Sequence, residues 1–314
     1  MIDLHTQLSS SFLMTKLTAE LDYQLETKED FIIGRFNAMA SPCELLIDSK
    51  DLSLGQNLMS VAVNETRRIE AKFSRYKNDN LMHAINNSRG NPVFIDQETY
   101  QLLQFADTCY QLSEGMFDIT SGVLRKIWKF DGSDNIPTAT QVRQILPFID
   151  WQKVVFTPTQ IILPKGFELD LGGIGKEYAV SRVSNLMLSM APNNSVLVNF
   201  GGDIQVSQVR KDKKAWQVGI ENPTNAKGLA VVQIREGGLA TSGDANRYLL
   251  KDNKRYSHIL NPKTGYSIEN APRSVTVAGI DCIQSGILAT LALLQGQQSE
   301  TFLEAQGVTF WCYR

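Results

Sequence analysis

Apolar and polar positions recur along this chain in two rhythms. FIIGRF and PCELLI, around residues 31–47, are short, apolar and rich in β-formers, and predict two strands. From Leu54 to Phe73 the apolar positions Leu54, Leu58, Val61, Ile69 and Phe73 return at helical spacing. Thr99 to Leu112 predicts a second helix, and the turn SEGMFD leads into a third that ends near Trp128. Residues 131–136 read as a loop before a short helix around Val142, and strands at 153–156 and 160–163 flank a TPTQ turn. A helix follows from about Ile174 to Met190. The segment 195–280 holds short β-like runs: SVLVNF, DIQVS, WQVGI, AVVQI, YSHIL and SVTVAG. Helices at 283–294 and 300–305 and a closing strand, VTFWCYR, complete the chain. Strands and helices mix without strict alternation, which predicts an α+β fold of mixed β-sheets with flanking helices, not a doubly wound parallel sheet.

A length of 314 residues accommodates one large domain or two lobes. The first 30 residues are polar and predict a loosely docked or partly disordered extension, with the folded domain spanning 31–314. Lys and Arg number 31 against 33 Asp and Glu, so no global basic field draws the chain to nucleic acid. No window approaches the ~18 apolar residues of a membrane span, and no basic cluster precedes an apolar run as in a secretory signal. The expectation is a cytoplasmic protein, or one whose targeting segment is missing from this sequence. Cys43, Cys109, Cys282 and Cys312 form no CxxC pair, which predicts free thiols and no zinc knuckle.

Five turns carry candidate chemistry. In LDLGGIGKEYAV a strand ends at Asp170 and Leu171, glycines turn the chain, and a helix begins. Backbone N–H groups at such a helix start suit a phosphate, and Lys176 adds a cation. Lys176 is followed by Glu177, so this is no P-loop, and Tyr178 stands where GxGxxG needs glycine. The alternative is a plain glycine turn. NFGGDI permits close ligand approach at Gly201 and Gly202, or a hairpin turn containing Asp203. LATSGDANRY reads as a phosphate or ribose contact after a strand, or as a polar turn. YSHILNPKTG sets His258 at a strand end, as a general base or as a structural histidine. EGMFDIT offers Phe117 for stacking or for the core.

The ordered set AMASPCEL, FSRY, EGMFDIT, LDLGGIGKEYAV, NFGGDI, ATSGD and HILNPKTG, followed by a helix with Thr290, resembles the FAD:protein FMN transferase (ApbE) family from about residue 35 onward. The resemblance implies a two-lobed α+β protein that binds FAD in a cleft. With Mg²⁺ it would cleave the pyrophosphate and attach FMN to a Thr or Ser of an acceptor flavoprotein. It implies nucleotide contacts at Met39, Tyr76, Phe117, Asp118, Thr120, Asp170, Lys176 and Ile259, with His258 as base for the acceptor hydroxyl. Thr290 and a backbone carbonyl near Gly173 would hold the metal. No S-G-A-T acceptor segment is evident here, so modification in trans is implied.

Three positions depart from the family pattern. Its opening Met-Gly-Thr is Met39-Ala40-Ser41, and the serine usual after SxY is Asn80. The family's metal-binding Asp, one helical turn before the Thr, is Gly286. A hard cation loses its main anionic ligand there, with Asp244 and Asp281 as candidate substitutes, and Gly286→Asp is expected to raise Mg²⁺-dependent activity provided Thr290 lies on the same helix face. Two rival functions follow from that loss or from the chemistry: a flavin carrier without transfer activity, and an FAD pyrophosphatase giving FMN and AMP.

Overall fold

A computed structural model describes residues 22–223, 229–244 and 247–314. The chain runs β1 (Gln24–Thr27), β2 (Ile32–Ala38), β3 (Ser41–Ile47), α1 (Leu52–Phe73), α2 (Leu81–Asn86), β4 (Pro92–Phe94) and α3 (Gln97–Leu112). A 3₁₀ segment (Ile119–Lys126), α4 (Ala139–Ile145), β5 (Val155–Thr157), β6 (Gln160–Ile162) and α5 (Gly175–Met190) follow. Then come β7 (Val196–Phe200), β8 (Asp203–Val206), β9 (Trp216–Glu221), β10 (Leu229–Ile234), β11 (Gly237–Gly243), β12 (Tyr248–Lys251) and β13 (Lys254–Ser257). The chain closes with β14 (Ser274–Gly279), α6 (Cys282–Leu294), α7 (Ser299–Gln306) and β15 (Thr309–Tyr313).

Eight strands form one sheet in the order β1-β2-β3-β7-β8-β11-β14-β15, every neighbouring pair antiparallel. Period-2 alternation gives the sheet two apolar faces. On β7, Val196, Val198 and Phe200 enter the large core under α1, α5 and α6, while Leu197 packs on the other side against Trp216 and Ile220 of the β9–β10 hairpin. Burial on both faces explains why Val196, Leu197 and Val198 are consecutive apolar residues. α1 begins where the Asp51 side chain accepts from the N–H groups of Ser53 and Leu54, and it buries the stripe Leu58, Met59, Ala62, Val63, Ile69 and Phe73. It crosses β2 at Gly34, where a Cβ would stand 2.1 Å from the Met59 sulfur. A three-stranded sheet, β4-β6-β5, belongs to a smaller block with α2 to α4, built from the stretch before α5.

The α+β expectation holds. Several local expectations change. LATSG, read as a phosphate or ribose contact after a strand or as a polar turn, lies in the interior strand β11, paired with β8 and β14. The segment after SEGMFD is 3₁₀, not α-helical. YSHIL leaves the strand at Ser257, one residue before His258. Residues 24–27, placed by composition in the polar extension, form the edge strand β1 on β2, and residues 1–21 lie outside the described residues. The four cysteines are unpaired, three of them buried. Among the described residues no helix is long and apolar enough to cross a membrane.

Candidate active site

A cleft of about 550 Å³ opens between the two blocks, lined by residues from the stretches around 76, 116–130, 170–177, 203, 241–247, 258–260 and 290. It gathers nine of the eleven residues singled out in the sequence: Tyr76, Phe117, Asp118, Asp170, Gly173, Lys176, His258, Ile259 and Thr290. Met39 and Thr120 do not line it. Met39 occupies the β2–β3 turn at φ 53°, beside Ala40 at φ 56°. Its N–H donates to Glu70 Oε1 at 2.9 Å, and its side chain packs on the core. Thr120 is fully buried; its hydroxyl donates to Asp118 Oδ1 at 2.6 Å and accepts the Asp150 N–H at 2.9 Å. Both residues shape the surroundings of the cleft from outside it.

Asp118 caps the 3₁₀ segment, accepting from Thr120 N at 2.7 Å and Trp151 N at 3.1 Å. Burial raises its carboxyl above the ordinary range against these hydrogen bonds. Asp170 terminates the stretch before the glycine turn. Its Oδ1 accepts the Gly172 N–H at 2.9 Å, and its Oδ2 lies 3.3 Å from Arg75 and 3.2 Å from Arg125. Arg125 also donates to the Tyr76 hydroxyl, which places a guanidinium and an exposed aromatic ring together at the rim. Asp170 therefore aims a cation at the cleft and is not itself open to a phosphate.

α5 starts at the glycine turn with no side-chain cap on Ile174, and the first N–H of the helix, that of Gly175, donates to the Leu171 carbonyl at 2.8 Å. Lys176 Nζ lies 2.8 Å from Asp203 Oδ2, the first residue of β8 after the Gly201–Gly202 turn. Burial opposes the Lys176 charge, but Asp203 more than compensates, and the ammonium titrates above its usual range. NFGGDI is thus a hairpin turn that also delivers a cleft carboxylate: Phe200 pairs with Asp203, and both glycines have positive φ, 60° and 96°. Ser242 on β11 and Thr290 on α6 share a hydroxyl–hydroxyl hydrogen bond of 2.9 Å.

His258 is half-buried beyond β13, its Nδ1 3.1 Å from the Arg247 carbonyl oxygen. A carbonyl only accepts, so Nδ1 carries the proton and Nε2 keeps its lone pair. Burial pushes His258 down to about 4, with the Arg247 and Arg125 charges adding to the effect and Asp244 opposing it. That is well below the ordinary histidine value of about 6.5.

The expected metal substitutes are engaged elsewhere. Asp244 lies 2.9 Å from Arg255 and 3.3 Å from Arg273, and Asp281 caps α6 by accepting from Gln284 N at 2.7 Å. The surroundings of Gly286 bear on a second expectation, that an Asp there raises Mg²⁺-dependent activity. A Cβ there would stand 2.5 Å from Glu177 Cγ. Gly286→Asp alone is expected to overpack and set two carboxylates together, destabilising the chain by about 1–3 kcal/mol without a gain in metal binding. Equilibrium unfolding checks this; wild-type stability in the variant would show that the Glu177 side chain moves aside freely.

Sequence reading missed Arg125, Trp128, Arg247 and Glu177 as cleft residues. Glu177 carried a usable signal: an acidic residue in the first turn of a helix that otherwise presents Ala179, Val180 and Val183 to the core.

The fold and cleft define a class of protein. An uncapped helix start, Lys176 and Arg125 converge on one cavity with a histidine whose lone pair is free, as suits a ligand bearing phosphates. The ApbE family model matches residues 39–311, and the chain belongs to that family. It is 29% identical over 261 residues to the FAD:protein FMN transferase of Klebsiella pneumoniae (strain 342), covering 81% of this chain and 79% of that one. It is likewise 29% identical to the FAD:protein FMN transferase of Treponema pallidum (strain Nichols) over 255 residues, 74% of this chain and 70% of that one. The crystal structure of the ApbE protein of Thermotoga maritima superposes with a TM-score of 0.80 at 26% identity, covering 92% and 94% of the two chains. The apo flavinyl transferase ApbE of Pseudomonas stutzeri gives the same TM-score, 0.80, at 22% identity, a likeness of fold.

Proposed function

We propose that this chain is an FAD:protein FMN transferase acting on a separate acceptor flavoprotein. The observation that carries the reading is the joint presence, in one cleft, of a phosphate-holding corner (the α5 start, Lys176, Arg125) and a neutral base, His258. The corner takes the pyrophosphate of FAD. His258 Nε2 accepts the proton of an acceptor Thr or Ser hydroxyl. The hydroxyl oxygen forms a bond to the FMN phosphorus while the bond to the bridging oxygen breaks, its electron pair leaving on AMP. Positioning and charge neutralisation supply most of the catalysis in such a transfer. A divalent cation, when bound, adds neutralising charge on the phosphates. The donor set fits one: Glu177 Oε2 is buried without a hydrogen-bond partner, and Thr290 and Gly173 line the same cavity.

Incubating the chain with FAD, MgCl₂ and a Thr- or Ser-bearing acceptor should add the mass of FMN to the acceptor and release AMP. Free FMN with unmodified acceptor would identify a pyrophosphatase. FAD bound with neither product would identify a carrier. FAD is expected to bind with micromolar affinity, about −8 kcal/mol. Tyr76, 74% exposed at the rim with Arg75 5.2 Å from its ring, is placed to cover a planar ring of the ligand. Tyr76→Ala should weaken FAD binding about 3- to 10-fold, the size of one aromatic stacking contact. Calorimetry decides it, and unchanged affinity would remove Tyr76 from the ligand's surroundings.

A further inference from the structure

Glu177 sits in the first turn of α5 and is 7% exposed, and its Oε2 has no hydrogen-bond donor. A buried carboxylate oxygen without a partner is strongly disfavoured and asks for a compensating group. The side chain lines the cleft alongside Lys176, Asp203, Ser242 and Thr290. Its position relative to α6 is specific. A Cβ on Gly286 would lie 2.5 Å from Glu177 Cγ and 3.0 Å from Oε1. Gly286 and Thr290 are one helical turn apart and share a face of α6. The space that a side chain at 286 would enter is therefore filled from the facing helix, by a carboxylate.

We propose that Glu177 is the anionic protein ligand of a divalent-cation site in this cleft, completed by the Thr290 hydroxyl and by phosphate oxygens of the bound dinucleotide. The dinucleotide part of the statement rests on the transferase reading above. Oxygen donors alone select a hard cation, Mg²⁺ or Mn²⁺. Asp203 is already paired with Lys176, and among the described residues no group of three or more His, Cys, Asp or Glu comes together for a metal. The protein's share of the coordination is thus small, as suits a cation held jointly with phosphates. The cation should bind more tightly in the presence of FAD than in its absence.

The test is titration of the full chain with Mn²⁺, followed by electron paramagnetic resonance, with and without FAD. Glu177→Gln keeps the size and removes the charge. It should weaken Mn²⁺ binding at least about 10-fold, the lower end of what even outer-shell partners contribute. A second pair of variants, Glu177→Gly with and without Gly286→Asp, moves the carboxylate across the same gap. Glu177→Gly should lose Mn²⁺, and adding Gly286→Asp should recover it. Wild-type Mn²⁺ affinity in Glu177→Gln would overturn the proposal. So would absence of Mn²⁺ binding by the wild-type chain at millimolar metal, or equally weak binding by both Glu177→Gly variants if Glu177→Gln does not fold. Mn²⁺ occupancy is read directly, so it separates the site from the transferase reading. A chain that binds Mn²⁺ through Glu177 and transfers no FMN keeps the site and loses the transferase.

Discussion

Replacing His258 by Ala is expected to lower FMN transfer about 10²- to 10⁴-fold, the usual contribution of a positioned base, while FAD affinity changes less than about tenfold. The Arg247 carbonyl fixes the Nδ1 proton, and the phosphate corner lies on other elements, so ground-state binding survives the loss. The pH profile sharpens the test. His258 is held down to about 4 by burial, so the base is neutral through the whole range above pH 5. Wild-type transfer should therefore show no acid limb near pH 6.5 and should fall only as pH approaches 4. The stability sign follows from the same shift. The unfolded chain binds a proton at about 6.5 and the folded chain at about 4, so His258 favours the folded state above pH 6.5. That advantage is lost as pH falls from 6.5 toward 4, and His258→Asn should lose less stability than wild type across that window. Folded His258→Ala with normal transfer would leave acceptor positioning as the main device.

Lys176→Ala is expected to cost about 3 kcal/mol of stability, because Asp203, 1% exposed, loses its ion-pair partner. The remaining contact to that carboxylate is the Thr241 N–H at 3.3 Å. Asp203→Asn added to Lys176→Ala should recover much of the loss, since it removes the stranded charge. FAD affinity should fall in both variants, as each lacks the ammonium that faces the pyrophosphate. Denaturant unfolding and calorimetry separate the two effects. Wild-type stability for Lys176→Ala would mean that Asp203 is neutral in the folded protein.

What the sequence made legible was local. The stripe of α1, the turn of NFGGDI and the helix start after the glycines at 172–175 each follow from short-range preferences, whereas the strand expected to end at Asp170 and Leu171 does not form. β11 was not legible, because Gly237, Gly238 and Gly243 weaken any strand pattern. Their reason is tertiary: a Cβ on Gly238 would lie 2.2 Å from the Asp281 carbonyl carbon, and one on Gly243 would lie 2.4 Å from the Arg273 oxygen. In the cleft, residue types were readable but partners were not. Thr120 and Met39 carried suggestive chemistry and are committed to structural hydrogen bonds. Glu177 was overlooked because its meaning depends on Gly286, which lies more than a hundred residues further along the chain.

The topology of the large sheet also sets when this cleft comes into being. β3 pairs with β7 in a register that joins Ile47 to Val196, and the cavity draws residues from Tyr76 to Thr290. Such distant closures must be completed before any of their contacts repay the chain entropy they cost, and they place the protein among slow folders. Lys176 on α5 and His258 beyond β13 belong to separate elements that meet only in the folded chain. Flavin capture during refolding should then lag behind helix formation and coincide with the final rise in protected β-sheet amides, so bound FAD reports on completion of the whole sheet.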